Sequence, residues 1–225
     1  MKDQIKLYLV AIPIGNQEDF TIRAIETLKS VDLIIGEERA TTERILKKLG
    51  IQNKEIKILN EHNEKTEAHL LFNYILDNSF SAALISEAGT PCIADPGAVL
   101  VNIFHDNNLQ VIPVPGASSI MCMLMASGLL NNQFKYAGFL SRDKEIRKSE
   151  LKQLNTEKIP IVILEAPYRM KQVLQDIYTV CGENKMVVFG YKLTQPEEMI
   201  IKSKITNVIK KTENLKKGEF VIVLC

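Results

Sequence analysis

Short apolar runs alternate with longer amphipathic stretches through the first half of the chain. Lys6–Ile12 is apolar and includes Tyr8 and Val10, which predicts a buried strand ending at the turn-forming Pro13-Ile14-Gly15-Asn16. Asp19 or Thr21 can cap the next segment, where Ile22, Ile25 and Leu28 recur at helical spacing. Asp32–Gly36 and Glu55–Leu59 read as further strands. Helices are predicted over Thr42–Leu49, closed by Gly50, and over residues 65–77. Ala82–Ile85 is a fourth strand, and residues 98–106 a helix. Gln110–Val114 is a fifth strand, followed by a helix over 118–127. Strands alternating with helices predict a mostly parallel sheet covered on both faces. In such a sheet the loops 13–19, 36–39, 60–64, 86–97 and 115–119 gather at one edge.

A second series begins near Phe134–Leu140. A charged helix is expected over 144–155, with Ile146, Leu151 and Leu154 as its apolar stripe. Pro160–Glu165 reads as a strand, and Ala166–Arg169 as the start of a helix running to Cys181. Lys185–Tyr191, Glu197–Lys202 and Phe220–Leu224 follow as strands, with a helix over Thr206–Lys211. The pattern predicts two α/β domains, 1–115 with a mostly parallel sheet and 116–225 with a mixed one. A junction between two such domains is a favoured place for a ligand cleft.

Composition narrows the class. Apolar residues make up 46% of the 225, ample for a core, and the net charge of +1 makes the whole molecule no electrostatic trap for nucleic acid. The charge is uneven: residues 1–140 hold 12 Lys/Arg and 16 Asp/Glu, whereas 141–225 hold 16 and 11. Cys92, Cys122, Cys181 and Cys225 form no CxxC pair, and only His62, His69 and His105 accompany them, so no metal site is expected. Four scattered thiols, no signal-peptide pattern and no apolar stretch near 20 residues point to a cytoplasmic protein without a membrane span.

The densest candidate chemistry lies in Ser86–Gly97. It combines two glycines, two prolines and small polar groups directly after a strand. No Walker-type lysine, GxGxxG after the first strand or GxSxG elbow occurs, which argues against a P-loop NTPase, a dinucleotide-binding domain and a serine hydrolase elbow. What remains is a set of small-residue loops suited to holding a compact ligand through main-chain contacts.

Leu7–Asn16, Asn63-Glu64, Ser86–Gly97, Pro115–Ser119, Ser127-Gly128-Leu129, Gly138-Phe139-Leu140, Glu165–Arg169 and Lys217-Gly218-Glu219 together resemble the tetrapyrrole methylase superfamily. Within it, the chain is similar to the branch that methylates ribose 2′-hydroxyls of small-subunit ribosomal RNA. The resemblance runs over nearly the whole chain. It implies S-adenosylmethionine bound between two α/β domains, in a homodimer that acts on ribosomal RNA or the small ribosomal subunit, at a cytidine. The superfamily also includes enzymes with small-molecule or protein acceptors, and an inactive ribosome-binding module is a third reading.

By position, the resemblance assigns cofactor contacts to Pro13, Glu87, Ala88, Gly89, Thr90, Ser118, Ser119, Glu165 and Leu193. Methyl transfer to a hydroxyl is helped by a base. Glu37, Glu38 and Asn63 are candidates because their loops open on the expected edge, with Glu37 ranked first. Arg39 and Arg169 are the expected substrate phosphate contacts, and Arg147 and Lys148 could add non-specific ones or form only a polar face. Several positions depart from the family pattern. Glu87 replaces an Asp, Ala40 an Arg beside Arg39, Tyr168 a His, and Tyr191-Lys192 an Arg-Glu pair. The chain also ends at Cys225, short of the extension that many members carry.

Overall fold

Five short strands build the first sheet: β1 (Lys6–Val10), β2 (Leu33–Gly36), β3 (Glu55–Ile58), β4 (Ala82–Leu84) and β5 (Gln110–Val114). They are seen in a computed structural model that describes residues 5–129 and 132–225. Their order is β3-β2-β4-β1-β5 and every pairing is parallel. Helices α1 (Ile22–Ser30), α2 (Arg39–Lys48), α3 (Glu64–Asn78) and α4 (Ala98–Asp106) connect the strands. The two-residue period of a strand sends neighbours to opposite faces. Leu7, Leu33, Ile35 and Leu84 join one core with Phe72 and Phe104, while Val10, Ile34, Ala83 and Ile85 join another with Ala24, Leu28 and Leu46. Burial on both faces explains why the inner strands β2 and β4 read as continuous apolar runs.

Local rules place the helix ends. Thr21 rather than Asp19 caps α1, accepting from the Ala24 N–H at 3.0 Å. Helix α2 starts at Arg39, three residues before its expected start at Thr42, because extended Glu38 already serves as its N-cap. It closes as expected, with the N–H groups of Gly50 and Ile51 reaching back to the carbonyls of Lys47 and Leu46. Ile12 leaves the β1 ladder to pair elsewhere, so the strand is shorter than the apolar run.

The chain divides into Met1–Ser118 and Ser119–Cys225, whereas the sequence suggested a division at 115/116. The second unit starts with α5 (Ser119–Ser127). Its sheet holds β6 (Lys135–Phe139), β7 (Ile161–Glu165), β10 (Phe220–Leu224), β8 (Met186–Tyr191) and β9 (Met199–Lys204), in that spatial order. Only β6 and β7 pair in parallel, so the sheet is mixed. Helices α6 (Lys144–Leu154), α7 (Met170–Cys181) and α8 (Ile205–Thr212) complete the unit. The helix expected from Ala166 begins as a tight turn over Pro167–Arg169. Strand β9 starts at Met199 rather than Glu197, because the Glu198 carboxylate accepts the Thr194 N–H at 2.6 Å and holds 194–198 as a turn.

Two buried arginines grip one turn of this unit. Arg147, 1% exposed, donates from Nη1 to the carbonyls of Ser141 and Arg142, both at 3.0 Å, and from Nε to Asp176 Oδ2 at 2.8 Å. Arg169 donates to the carbonyls of Leu140 at 2.9 Å and Ser141 at 2.7 Å. The expectation that Arg147 lies on the exposed polar face of α6 is therefore corrected: its charge is enclosed with Asp176, since an unpaired buried guanidinium would be costly. Lys148 lies alongside Glu145, 3.7 Å away. Removing one partner from a buried pair leaves the other uncompensated. Asp176→Ala is expected to lower stability by about 3–5 kcal/mol, read as a shift in the urea unfolding midpoint.

Candidate active site

An all-parallel sheet brings the carboxyl ends of all five of its strands to one edge. The loops beyond that edge are tied together largely by main chain. Ile12 and Gly89 exchange both backbone hydrogen bonds, at 2.8 and 3.0 Å, joining the loops after β1 and β4. Gly89 sits at φ 77°, and a Cβ there would lie 3.1 Å from Ile14 Cγ2. Thr90 Oγ1 donates to the Ala117 carbonyl at 3.1 Å, bringing in the loop after β5. The Glu87 N–H donates to Glu37 Oε1 at 3.1 Å, adding the loop after β2. Of the expected site residues in this unit, Pro13 and Gly89 are buried, Thr90 and Ser118 half-buried, and Glu87 and Ala88 exposed.

Beside this ledge opens a chamber of about 580 Å³. Glu37, Glu38, Glu61, Glu64, Glu87 and Asp95 line it, together with His62. So many carboxylates raise the cost of ionising those that are partly buried. Glu37 is pushed up to about 7, chiefly by burial and then by the charge of Asp95, against the opposing Glu87 N–H bond. Asp95 is also raised, again mainly by burial, with the Ser86 hydroxyl opposing. Glu64 is occupied in holding the fold, because its Oε1 accepts from the N–H groups of Gly97 at 2.7 Å and Val99 at 3.1 Å. It therefore caps α4, whose N-terminus favours negative charge. Gly97 sits at φ 130°, where a Cβ would come within 2.4 Å of Leu84 Cδ2. Among the described residues, no group of three or more His, Cys, Asp or Glu is arranged to hold a metal ion.

Other expected residues take supporting places. Asn63 Oδ1 accepts the Asn60 N–H at 2.7 Å and its Nδ2 donates to the Ile58 carbonyl at 3.3 Å. Asn63, one of the expected bases, thus uses both atoms of its amide to build the 60–63 turn. Glu38 accepts from the Thr41 hydroxyl at 2.7 Å at the head of α2. Arg39 Nη2 donates to the Ile56 carbonyl at 2.9 Å, while Nη1 stands 3.6 Å from Glu43.

In the second unit, Ser119 is the first residue of α5 and is half-buried. Leu193, 7% exposed, lies between Lys192 at φ 46° and Thr194 at φ 65°. Glu165 is fully enclosed and pairs with Arg169 Nη1 at 3.1 Å. Burial raises its carboxyl, with the Arg169 charge opposing. The Arg169 guanidinium is 7% exposed and directed at Glu165, Leu140 and Ser141, so it is not presented to a substrate phosphate as expected. Sequence alone assigned no part to Glu64, Asp95 or Asp176. For the first two, the available signal was a carboxylate next to a glycine-bearing turn at a strand end.

Small-residue loops thus converge beside an acidic chamber at the carboxyl edge of a parallel sheet. The model of the Tetrapyrrole (Corrin/Porphyrin) Methylases matches residues 6–209. The Bacillus subtilis protein named "Ribosomal RNA small subunit methyltransferase I" is 38% identical over 97% of this chain and 74% of its own length. The protein of the same name from Escherichia coli O157:H7 is 36% identical over 98% of this chain and 78% of its own. Among solved structures, a diphthine synthase superposes with TM-score 0.73 at 14% identity, covering 98% of this chain and 90% of that one. A cobalt precorrin-4 methyltransferase does so with TM-score 0.68 at 15%, covering 100% and 96%. The chain belongs to the tetrapyrrole methylase family.

Protonation of Glu37 stabilises the folded protein at low pH. The folded-state value, about 7, exceeds the 4.5 of an unfolded glutamate. The folded state therefore gains stability that is complete below pH 4.5 and is lost as pH rises through 7. Urea unfolding across this window is expected to show wild type losing stability relative to Glu37→Gln as pH increases.

Proposed function

We propose that the chain is an S-adenosylmethionine-dependent methyltransferase of small-subunit ribosomal RNA, acting at the ribose 2′-hydroxyl of a cytidine. The observation that carries this reading is 36–38% identity, across nearly the full chain, to proteins named for that RNA, on a fold whose loops suit the cofactor. Ala88, Gly89, Thr90, Ala117 and Ser118 have small side chains, so a ligand can lie against main-chain groups. The neighbouring carboxylates complement the positive charge of a sulfonium and an ammonium group. In this reading Pro13, Glu87, Ala88, Gly89, Thr90, Ser118 and Ser119 hold the cofactor, and Leu193 supplies an apolar contact. Glu165 acts by fixing Arg169 and, through it, the 140–141 turn. The protein works as a cytoplasmic homodimer, as the resemblance implies.

Bound S-adenosylmethionine supplies an activated methyl group. The chain supplies the base: Glu37 accepts the proton of the acceptor hydroxyl. A carboxyl raised to about 7 is a far better proton acceptor than an exposed one, yet remains about half ionised at neutral pH. Arg39, exposed at the rim of the loop that carries Glu37, contacts the substrate. Arg169 stays with the 140–141 turn.

Methyl mapping of 16S ribosomal RNA from a deletion strain tests the function. Loss of one 2′-O-methylcytidine, restored by the wild-type gene, is expected, and unchanged RNA contradicts the reading. With purified small subunits, kcat/KM should rise with pH through about 7, and Glu37→Gln should lower kcat by about 10²-fold or more and abolish that rise.

A further inference from the structure

Charge is strongly segregated within the first unit. Residues 1–118 hold 11 Lys/Arg and 16 Asp/Glu, net −5, yet residues 39–54 hold 5 and 1, net +4. Helix α2 presents this charge outward. Arg39, Arg44, Lys47 and Lys48 are exposed, while Ile45 and Leu46 are buried against the sheet. A groove of about 270 Å³ runs between α2 and the segment 51–56, with Leu46 and Ile51 among its lining residues and Arg39, Lys47 and Lys54 as its cations. Two of these cations are held in place. Arg39 donates to the Ile56 carbonyl of β3, the edge strand of the sheet. Lys54 donates to the carbonyls of Lys29, at 2.6 Å, and Val31, at the C-terminal end of α1. Glu43 is the one acid in the stretch.

We propose that this groove and the outer face of α2 bind the phosphate backbone of ribosomal RNA flanking the modified nucleotide. The inference rests on the function proposed above and specifies how that substrate is held. Arg39 follows Glu37 by two residues. From Arg39 the basic stripe runs along α2 for eight residues to Lys47, about 12 Å at the helical rise per residue. The chamber that holds Glu37 has the opposite sign. Phosphodiesters are repelled from the chamber and attracted to the helix beside it. The backbone is thereby steered onto α2, leaving a ribose hydroxyl to reach the carboxylates. Phosphate contacts of this kind set register and orientation without reading sequence.

The triple variant Arg44→Gln/Lys47→Gln/Lys48→Gln tests this, because glutamine keeps helix propensity close to that of the residues replaced. With purified small subunits, KM is expected to rise about tenfold or more while kcat is retained. The slope of log affinity against log salt should become shallower by about 2, at roughly 0.7–0.9 for each phosphate no longer neutralised. Circular dichroism and S-adenosylhomocysteine titration should match wild type. An unchanged KM and salt slope would overturn the groove and leave the methyltransferase reading standing. If wild type transfers no methyl group, that reading fails separately. Filter binding of 16S ribosomal RNA to the two proteins then decides the groove alone, and equal salt slopes overturn it.

Discussion

Two hydrogen bonds between the main chains of Ile12 and Gly89 hold the candidate site together. A parallel sheet delivers strand ends to one edge, but the loops leaving those ends can then diverge. Here the loop after β1 is locked to the loop after β4, and Thr90 and Glu87 extend the connection to Ala117 and Glu37. The bridge needs a residue at position 89 that tolerates φ 77° against Ile14, which glycine provides. Main-chain stitching lets the ledge be built from small residues, among them Ala88, Gly89, Thr90 and Ala117.

Burial and charge then divide the surface of this unit into two fields. The chamber collects carboxylates whose mutual repulsion is partly relieved by protonation of Glu37 and by use of Glu64 as a helix cap. A few residues away, α2 turns a basic stripe outward. In the proposed function, a cationic donor and a polyanionic acceptor call for neighbouring regions of opposite sign. The short connection Glu37-Glu38-Arg39 is where the sign changes.

Much of the fold was legible because each signal had a local cause. Strand runs, Thr21, Gly50 and the clustering of loops at one edge follow from periodicity, capping and parallel topology. The departures also have local causes, such as the Glu198–Thr194 hydrogen bond that delays β9. Side-chain roles were less legible. Arg147 and Arg169 look like surface cations in a charged helix and at a helix start, yet Arg147 is enclosed by the sequence-distant Asp176, and both are held by carbonyls of the 140–142 turn. Asn63 has the polarity of a catalytic group and the bonding of a turn residue. Burial of a charge depends on tertiary partners, which periodicity does not reveal.

The most direct measurement is calorimetric titration of S-adenosylhomocysteine into the wild-type protein and into Gly89→Ala, which strains the backbone bridge without altering charge. Saturable binding at one site per chain is expected for wild type, with marked weakening in the folded variant. No binding to wild type, or equal affinity in the two proteins, would contradict a cofactor site built on the Ile12–Gly89 bridge.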